Sequence, residues 1–280
     1  GVLLQPAAAH MEDTARLLRR SMLPDQRQRL QIVIADAAML VGYLACNEHR
    51  PGQADATFRL AERHARETGD NALLASALTA QSFLRSSVEG GGRSPSPEAL
   101  ALLEEASELA ARHGPALTRA ATYAWLAQER AASKDPSGAE EALERAESAL
   151  EAAIAEDLPL SGATADYYFL PSDDRLARFR AVCDLALERP QHAVETLTET
   201  LARVDGPRRR VIILADLGGA LAGQDQPEEA CGRLVEGYRL SVEDYPMGLE
   251  RIVGVRAGFP PAFAALACTH DLDDLLRHGV

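Results

Sequence analysis

Lysine is almost missing from this chain: Lys134 is the only one among 280 residues. Cationic recognition therefore falls to arginine, whose planar fork favours bidentate contacts. Aromatic residues make up only 5% of the sequence, and Trp125 is the single tryptophan. The apolar share, 46%, is carried mostly by alanine and leucine, which are strong helix formers and poor strand builders. The four cysteines, Cys46, Cys183, Cys231 and Cys268, are far apart in sequence, with no Cys-x-x-Cys pair and no histidine cluster. That leaves zinc and a disulfide framework unsupported and favours buried free thiols in a reducing cytoplasm. No run of about 18 uninterrupted apolar residues occurs, so no membrane span is expected.

Catalytic signatures are missing too. There is no GxSxG elbow, Walker loop, HExxH or GxGxxG. The seven histidines are scattered, and no acid–base partner stands near any of them. The expectation is a protein that is not an enzyme and carries no metal and no cofactor. With 42 acidic against 29 basic residues the net charge is −13, which repels a phosphate backbone and argues against direct nucleic-acid binding by this chain. The start, Gly1 to Pro6, is too short for a secretory core and has no initiator methionine. It suggests that a longer protein continues on the N-terminal side.

What the chain does have is an internal repeat. Gly42 is followed twelve residues later by Ala54, then by Phe58 and Ala61. The same spacing recurs in Ala127, Ala139, Leu143, Ala146 and in Gly218, Ala230, Leu234, Gly237. Looser copies are Ser82, Ala99, Leu103, Ala106, which carries an insertion, and Cys183, Ala193, Leu197, Thr200, which has a shorter loop. Two antiparallel helices joined by a short turn accept only small side chains where they cross closely, and a larger side chain fills the space one turn on. A pair cannot bury its apolar face alone, so pairs stack. Pro51-Gly52, Gly69-Asp70, Pro136-Ser137-Gly138, Pro190, Gly206-Pro207 and Pro227 mark the joints. Residues 90–97 read as a surface loop, 157–171 as a long irregular connection carrying Tyr167, Tyr168 and Phe169, and 245–280 as a two-helix cap split near Pro260-Pro261. Nothing predicts strands.

These small–large–small signatures resemble tetratricopeptide repeats over nearly the whole chain. The wording of Val2 to Ala7, Leu40 to Ala45, Glu67 to Asp70 and Arg189 to Val194 is similar to the C-terminal part of actinobacterial Xre-type helix-turn-helix transcriptional regulators. The resemblance implies an all-α, right-handed superhelix of about five helix pairs plus terminal cap helices, forming one domain over 1–280. It also implies a regulatory role: a homodimer that senses a small molecule or short peptide in its concave groove, is cytoplasmic with no membrane contact, and reaches DNA only through a separate N-terminal domain. A protein-interaction scaffold with no small-molecule ligand is the alternative.

In such folds the first helix of each pair lines the groove. By that alignment the inward residues are Asp36, Tyr43 and Asn47 from the first pair, Phe83 and Ser87 from the second, Gln128 from the third, and Arg180 and Asp184 from the fourth. Gly219 and Ala222 of the fifth leave room. Trp125 is either a stacking wall for a ligand or a core filler. Tyr167 and Tyr168 either fold over the groove or pin their loop to the body. Arg208-Arg209-Arg210 stands at a helix start, where the dipole disfavours cations; it reads either as a solvated charge run or as a site for a partner anion or an acidic neighbour.

Overall fold

A computed structural model describes residues 3–20, 23–86, 88–89, 92–155, 173–244 and 248–278. The fold is all-α, with thirteen α-helices among the described residues. They are α1 (Leu4–Arg20), α2 (Pro24–Asn47), α3 (Pro51–Thr68), α4 (Asn71–Arg85), α5 (Pro97–His113), α6 (Ala116–Ala132) and α7 (Pro136–Ala155), followed by α8 (Asp173–Ala186), α9 (Pro190–Arg203), α10 (Pro207–Gly223), α11 (Pro227–Asp244), α12 (Gly248–Ala257) and α13 (Ala267–His278). A short 3₁₀ turn, Pro261–Ala265, precedes α13.

Four of the joints are one motif repeated. The N–H of Arg50, Asp135, Arg189 and Gln226 each reaches back to the carbonyl five residues earlier, on Ala45, Arg130, Asp184 and Leu221, at 2.8 to 3.0 Å. The preceding residues, His49, Lys134, Glu188 and Asp225, are left-handed, with φ between 55° and 61°. This is a Schellman ending, which satisfies the last carbonyls of the first helix. Two residues further on, Pro51, Pro136, Pro190 or Pro227 opens the second helix, where its fixed φ is already helical and its missing N–H costs nothing. Two other helix starts are capped by side chains: Asp70 accepts from the Leu73 N–H at 3.0 Å and Ser96 from the Ala99 N–H at 3.2 Å.

The repeat positions are all interior. Ala54, Phe58, Ala61, Ala127, Ala146, Ala193, Leu197, Ala230 and Leu234 are fully buried, and so, within a few per cent, are Ala139, Leu143, Ser82, Leu103 and Cys183. A Cβ added at Gly42 would run into the Phe58 ring. One added at Gly218 would lie 2.7 Å from Leu234 Cδ2 and 3.4 Å from the Ala230 carbonyl oxygen. Glycine inside a helix costs about 1 kcal/mol relative to alanine. Burying a phenylalanine or leucine returns about 1.5–3 kcal/mol, so close approach wins at both crossings.

The described residues group into two compact units where the sequence suggests a single domain. The first holds Gly1–Ser86, Ser96–Leu126 and Glu141–Pro171; the second holds Ser87–Pro95, Ala127–Glu140 and Ser172–Val280. In the first, α2 packs on α1, α3 and α4, and α4 on α3 and α5. In the second, α10 packs on α8, α9, α11 and α12, and α11 also on α12 and α13.

Helix α2 is long and apolar enough to cross a membrane by length and composition alone. Its Ile34, Ala35, Ala38, Met39, Val41, Tyr43 and Ala45 are instead buried in the core of the first unit.

One expectation needs correction. The segment at 90–97 is not simply a loop: Val88 pairs with Arg93 and Glu89 with Gly92 in an antiparallel ladder, β1 (Val88–Glu89) and β2 (Gly92–Arg93). A local helix-and-loop reading passes over so short a ladder. These strands lie in the second unit, β2 against α8 and β1 against α12. The connection at 157–171, with Tyr167 and Tyr168, lies outside the described residues, as does Ser87.

Candidate functional site

In the first unit helices α4 and α6 are joined by a buried hydroxyl pair, Thr79 and Thr122, whose Oγ1 atoms are 3.0 Å apart. Thr79 also donates to the Ala75 carbonyl at 2.8 Å in one hydrogen-bonding arrangement, so the pair is held on a fixed stretch of α4. One turn on, the Phe83 ring meets the Trp125 indole edge-on, with centroids 5.5 Å apart and planes at 72°. Phe83 keeps 37% of its surface exposed, unusual for a large aromatic that already has a ring partner. Its neighbours on α4 are tied to α3: Gln81 donates to Glu62 at 2.8 Å and Arg85 pairs with Asp55 at 2.6 Å. Burial pushes the Asp55 carboxyl up, but the Arg85 and Arg59 guanidiniums outweigh it and hold the group below the usual carboxylate range. Phe83 is thus presented from a backbone fixed on both sides.

The other expected residues of this unit are placed differently. Tyr43 is buried, its ring 5.1 Å from that of Phe58. Asn47 is half-buried at the end of α2. Asp36 remains reachable by solvent, while burial of its carboxyl and the like charge of Asp70 raise its pKa.

In the second unit Gln128 is buried. Arg180 donates to Glu140 at 2.9 Å, and Asp184 faces Arg189 at 3.8 Å. Burial raises the Asp184 carboxyl; His192, Arg189 and Arg180 oppose that, and Glu140 adds to it. Gly219 is not open space, because an added Cβ would lie 3.5 Å from Val255 Cγ1. Arg210, the last of the arginine run, pairs with Glu236 at 3.2 Å.

A stronger cluster in this unit escaped the sequence. Asp216, on α10, has a side chain only 1% exposed. Its Oδ2 accepts from Arg178 Nε of α8 at 2.7 Å, and its Oδ1 accepts from Arg251 Nε of α12 at 2.8 Å and also from Arg251 Nη2. The readable signal was a lone carboxylate inside the apolar run Val211 to Ala222. A buried charge demands a cation, but sequence spacing does not say which arginine supplies it.

All four cysteines are free thiols. Burial raises the Cys46 thiol to about 11 and pushes Cys183 higher still. Cys231 and Cys268, far apart in sequence, flank Thr269 Oγ1 at 3.9 and 4.0 Å. No cluster of three or more metal-ligating side chains occurs among the described residues.

No protein-family model and no curated protein matches this chain. Among solved structures it is similar to the crystal structure of BtubC (BKLC) from P. vanneervenii, with a TM-score of 0.54 and 15% identity, over 86% of this chain and 90% of that one. At that identity the likeness speaks for a helical fold and for nothing about activity.

Proposed function

We propose that this chain is a ligand-sensing regulatory domain of a bacterial transcriptional regulator, binding a small molecule or short peptide on the inner helices of its first unit. One observation carries the proposal: Phe83 is held exposed against Trp125 by a fixed backbone on adjacent inner helices. An exposed aromatic edge of this kind fits a ligand with a flat or apolar group. A ligand acts as an effector only if it binds one arrangement of the helices more tightly than another. Leu17, Leu23 and Val33, all exposed on or beside α1 and α2, supply apolar surface for self-association into the dimer such a regulator needs.

The test uses Trp125 as a reporter, because no other tryptophan contributes to the emission. A screen of metabolites and short peptides by thermal shift, followed by fluorescence titration, should find a ligand that raises Tm and changes Trp125 emission. Phe83→Ala should weaken its binding. A ligand that stabilises the protein while leaving Trp125 emission unchanged would place the effector elsewhere and contradict the proposal.

A further inference from the structure

Cys231 and Cys268 are far apart in sequence, yet the packing of α11 against α13 brings their thiols together. Cys231 stands early in α11 and is 3% exposed; Cys268 stands in the first turn of α13 and is half-buried. Both sulfurs meet one oxygen, Thr269 Oγ1, at 3.9 and 4.0 Å. Thr269 is fully buried, and among the described residues its hydroxyl hydrogen-bonds to those two sulfurs and to no oxygen or nitrogen. Thiols are weak hydrogen-bonding groups, so packing alone would be served as well by an apolar side chain of the same shape. Burial, and then hydrogen bonding to the Cys268 thiol, push the Cys231 thiol up to about 11, while the Thr269 hydroxyl and the Arg256 guanidinium pull the other way. The remaining cysteines differ. Burial raises Cys46 and Cys183, and no second thiol contributes at either. Two thiols with no third ligand beside them among the described residues do not make a zinc site, which leaves the chemistry of the sulfurs themselves.

We infer that Cys231 and Cys268 are an oxidant-sensitive pair, which a peroxide closes into a disulfide tying the start of α13 to α11 and a small thiol reopens. Cys268 is the more accessible sulfur and reacts first. Its thiolate attacks one oxygen of hydrogen peroxide, the O–O bond breaks, and the other oxygen takes a proton and leaves as water, so that Cys268 becomes a sulfenic acid. The Cys231 sulfur, giving up its proton, then attacks the Cys268 sulfur. The S–S bond forms, the S–O bond breaks, and the hydroxyl leaves with that proton as a second water. Two thiols have lost two electrons and two protons, and the peroxide that gained them has become two waters. The pair does not rest on the aromatic site of the first unit and stands or falls separately.

The experiment treats the whole reduced chain with hydrogen peroxide, blocks the remaining thiols with iodoacetamide and digests with trypsin. Cleavage after Arg210, Arg233, Arg256 and Arg277 releases Cys231 and Cys268 on separate peptides. Mass spectrometry should find these two peptides joined, lighter by two hydrogens, with Cys46 and Cys183 carrying the alkyl group. The link should form at least about tenfold faster than any involving Cys46 or Cys183, because a neighbouring thiol acts at high effective concentration. Its yield should not change with protein concentration, since it forms within one chain. Oxidation should raise Tm by about 5 °C or more, because the link restricts the unfolded chain, and dithiothreitol should restore the starting value. The unmutated chain is used throughout, so a folding defect cannot mimic the outcome. Both thiols alkylated after peroxide, links spread evenly over the four cysteines, a link formed only between copies, or a link that fails to raise Tm overturns the inference.

Discussion

The two units bridge their helices with different chemistry. In the first, α4 and α6 meet through the neutral Thr79···Thr122 pair. In the second, α8, α10 and α12 meet through Arg178, Asp216 and Arg251. The helix crossings beneath are built alike, with Gly42 under Phe58 and Gly218 under Leu234. At both crossings the small residue and the large one a turn away set how the helices approach, while the polar bridges between helices differ. A hydroxyl pair is cheap to replace by apolar groups of the same shape. A buried charge cluster is costly to break.

The largest expected effect sharpens that contrast. Asp216→Ala removes the buried carboxylate that both guanidiniums bond and should cost about 3–5 kcal/mol, read by urea unfolding. The Thr79→Val, Thr122→Val double variant should lie close to the parent, because both partners go apolar together. If the two changes cost the same, the contrast between the units fails. Next comes Gly218→Val, which drives a branched side chain into Leu234 and Ala230. Overpacking of this kind costs about 1–3 kcal/mol and should appear as a lower midpoint at unchanged slope. A smaller, opposite effect is expected at the joints. Asp225 is left-handed at φ 60°, where glycine suffers no penalty. Asp225→Gly should stabilise by a few tenths to about 1 kcal/mol, seen as a higher Tm.

The smallest effect is a pH dependence. Asp36 holds its proton more tightly in the folded state than in the unfolded one, because burial and the Asp70 charge raise its pKa. Its contribution to stability is therefore fully present below the unfolded value, near pH 4, and is lost as pH rises through the folded value. Asp36→Asn should be slightly more stable than the parent at pH 7, and the two should converge in acid. A difference that grows on acidification would reverse the sign argued here.

Much of the backbone was legible in the sequence because its determinants are local. The Gly42–Ala54–Phe58 and Gly218–Ala230–Leu234 spacings place a small residue opposite a large one by helical geometry alone. The prolines after each joint mark helix starts for a covalent reason. The ladder at Val88 to Arg93 was not legible, since two-residue strands in a glycine-rich stretch leave no periodic signal. The candidate sites were legible only in part. Phe83 and Trp125 were both singled out, and the structure puts them in contact. Arg180 and Asp184 were singled out while Arg178 and Asp216 were not, because helical spacing identifies a face but not which charges meet across three helices. The nearness of Cys231 and Cys268 at Thr269 likewise depends on how α11 packs against α13.

The central claim is that glycine at position 218 is required by Leu234. A double-mutant cycle tests it: Gly218→Ala, Leu234→Ala and the pair, each measured by chemical denaturation. If the Gly218 Cβ space is filled by the leucine, truncating Leu234 relieves the clash, and the double variant should be more stable than the sum of the singles by about 1 kcal/mol or more. Strict additivity would mean that the two residues do not meet, and the packing rule on which the fold was argued would fall.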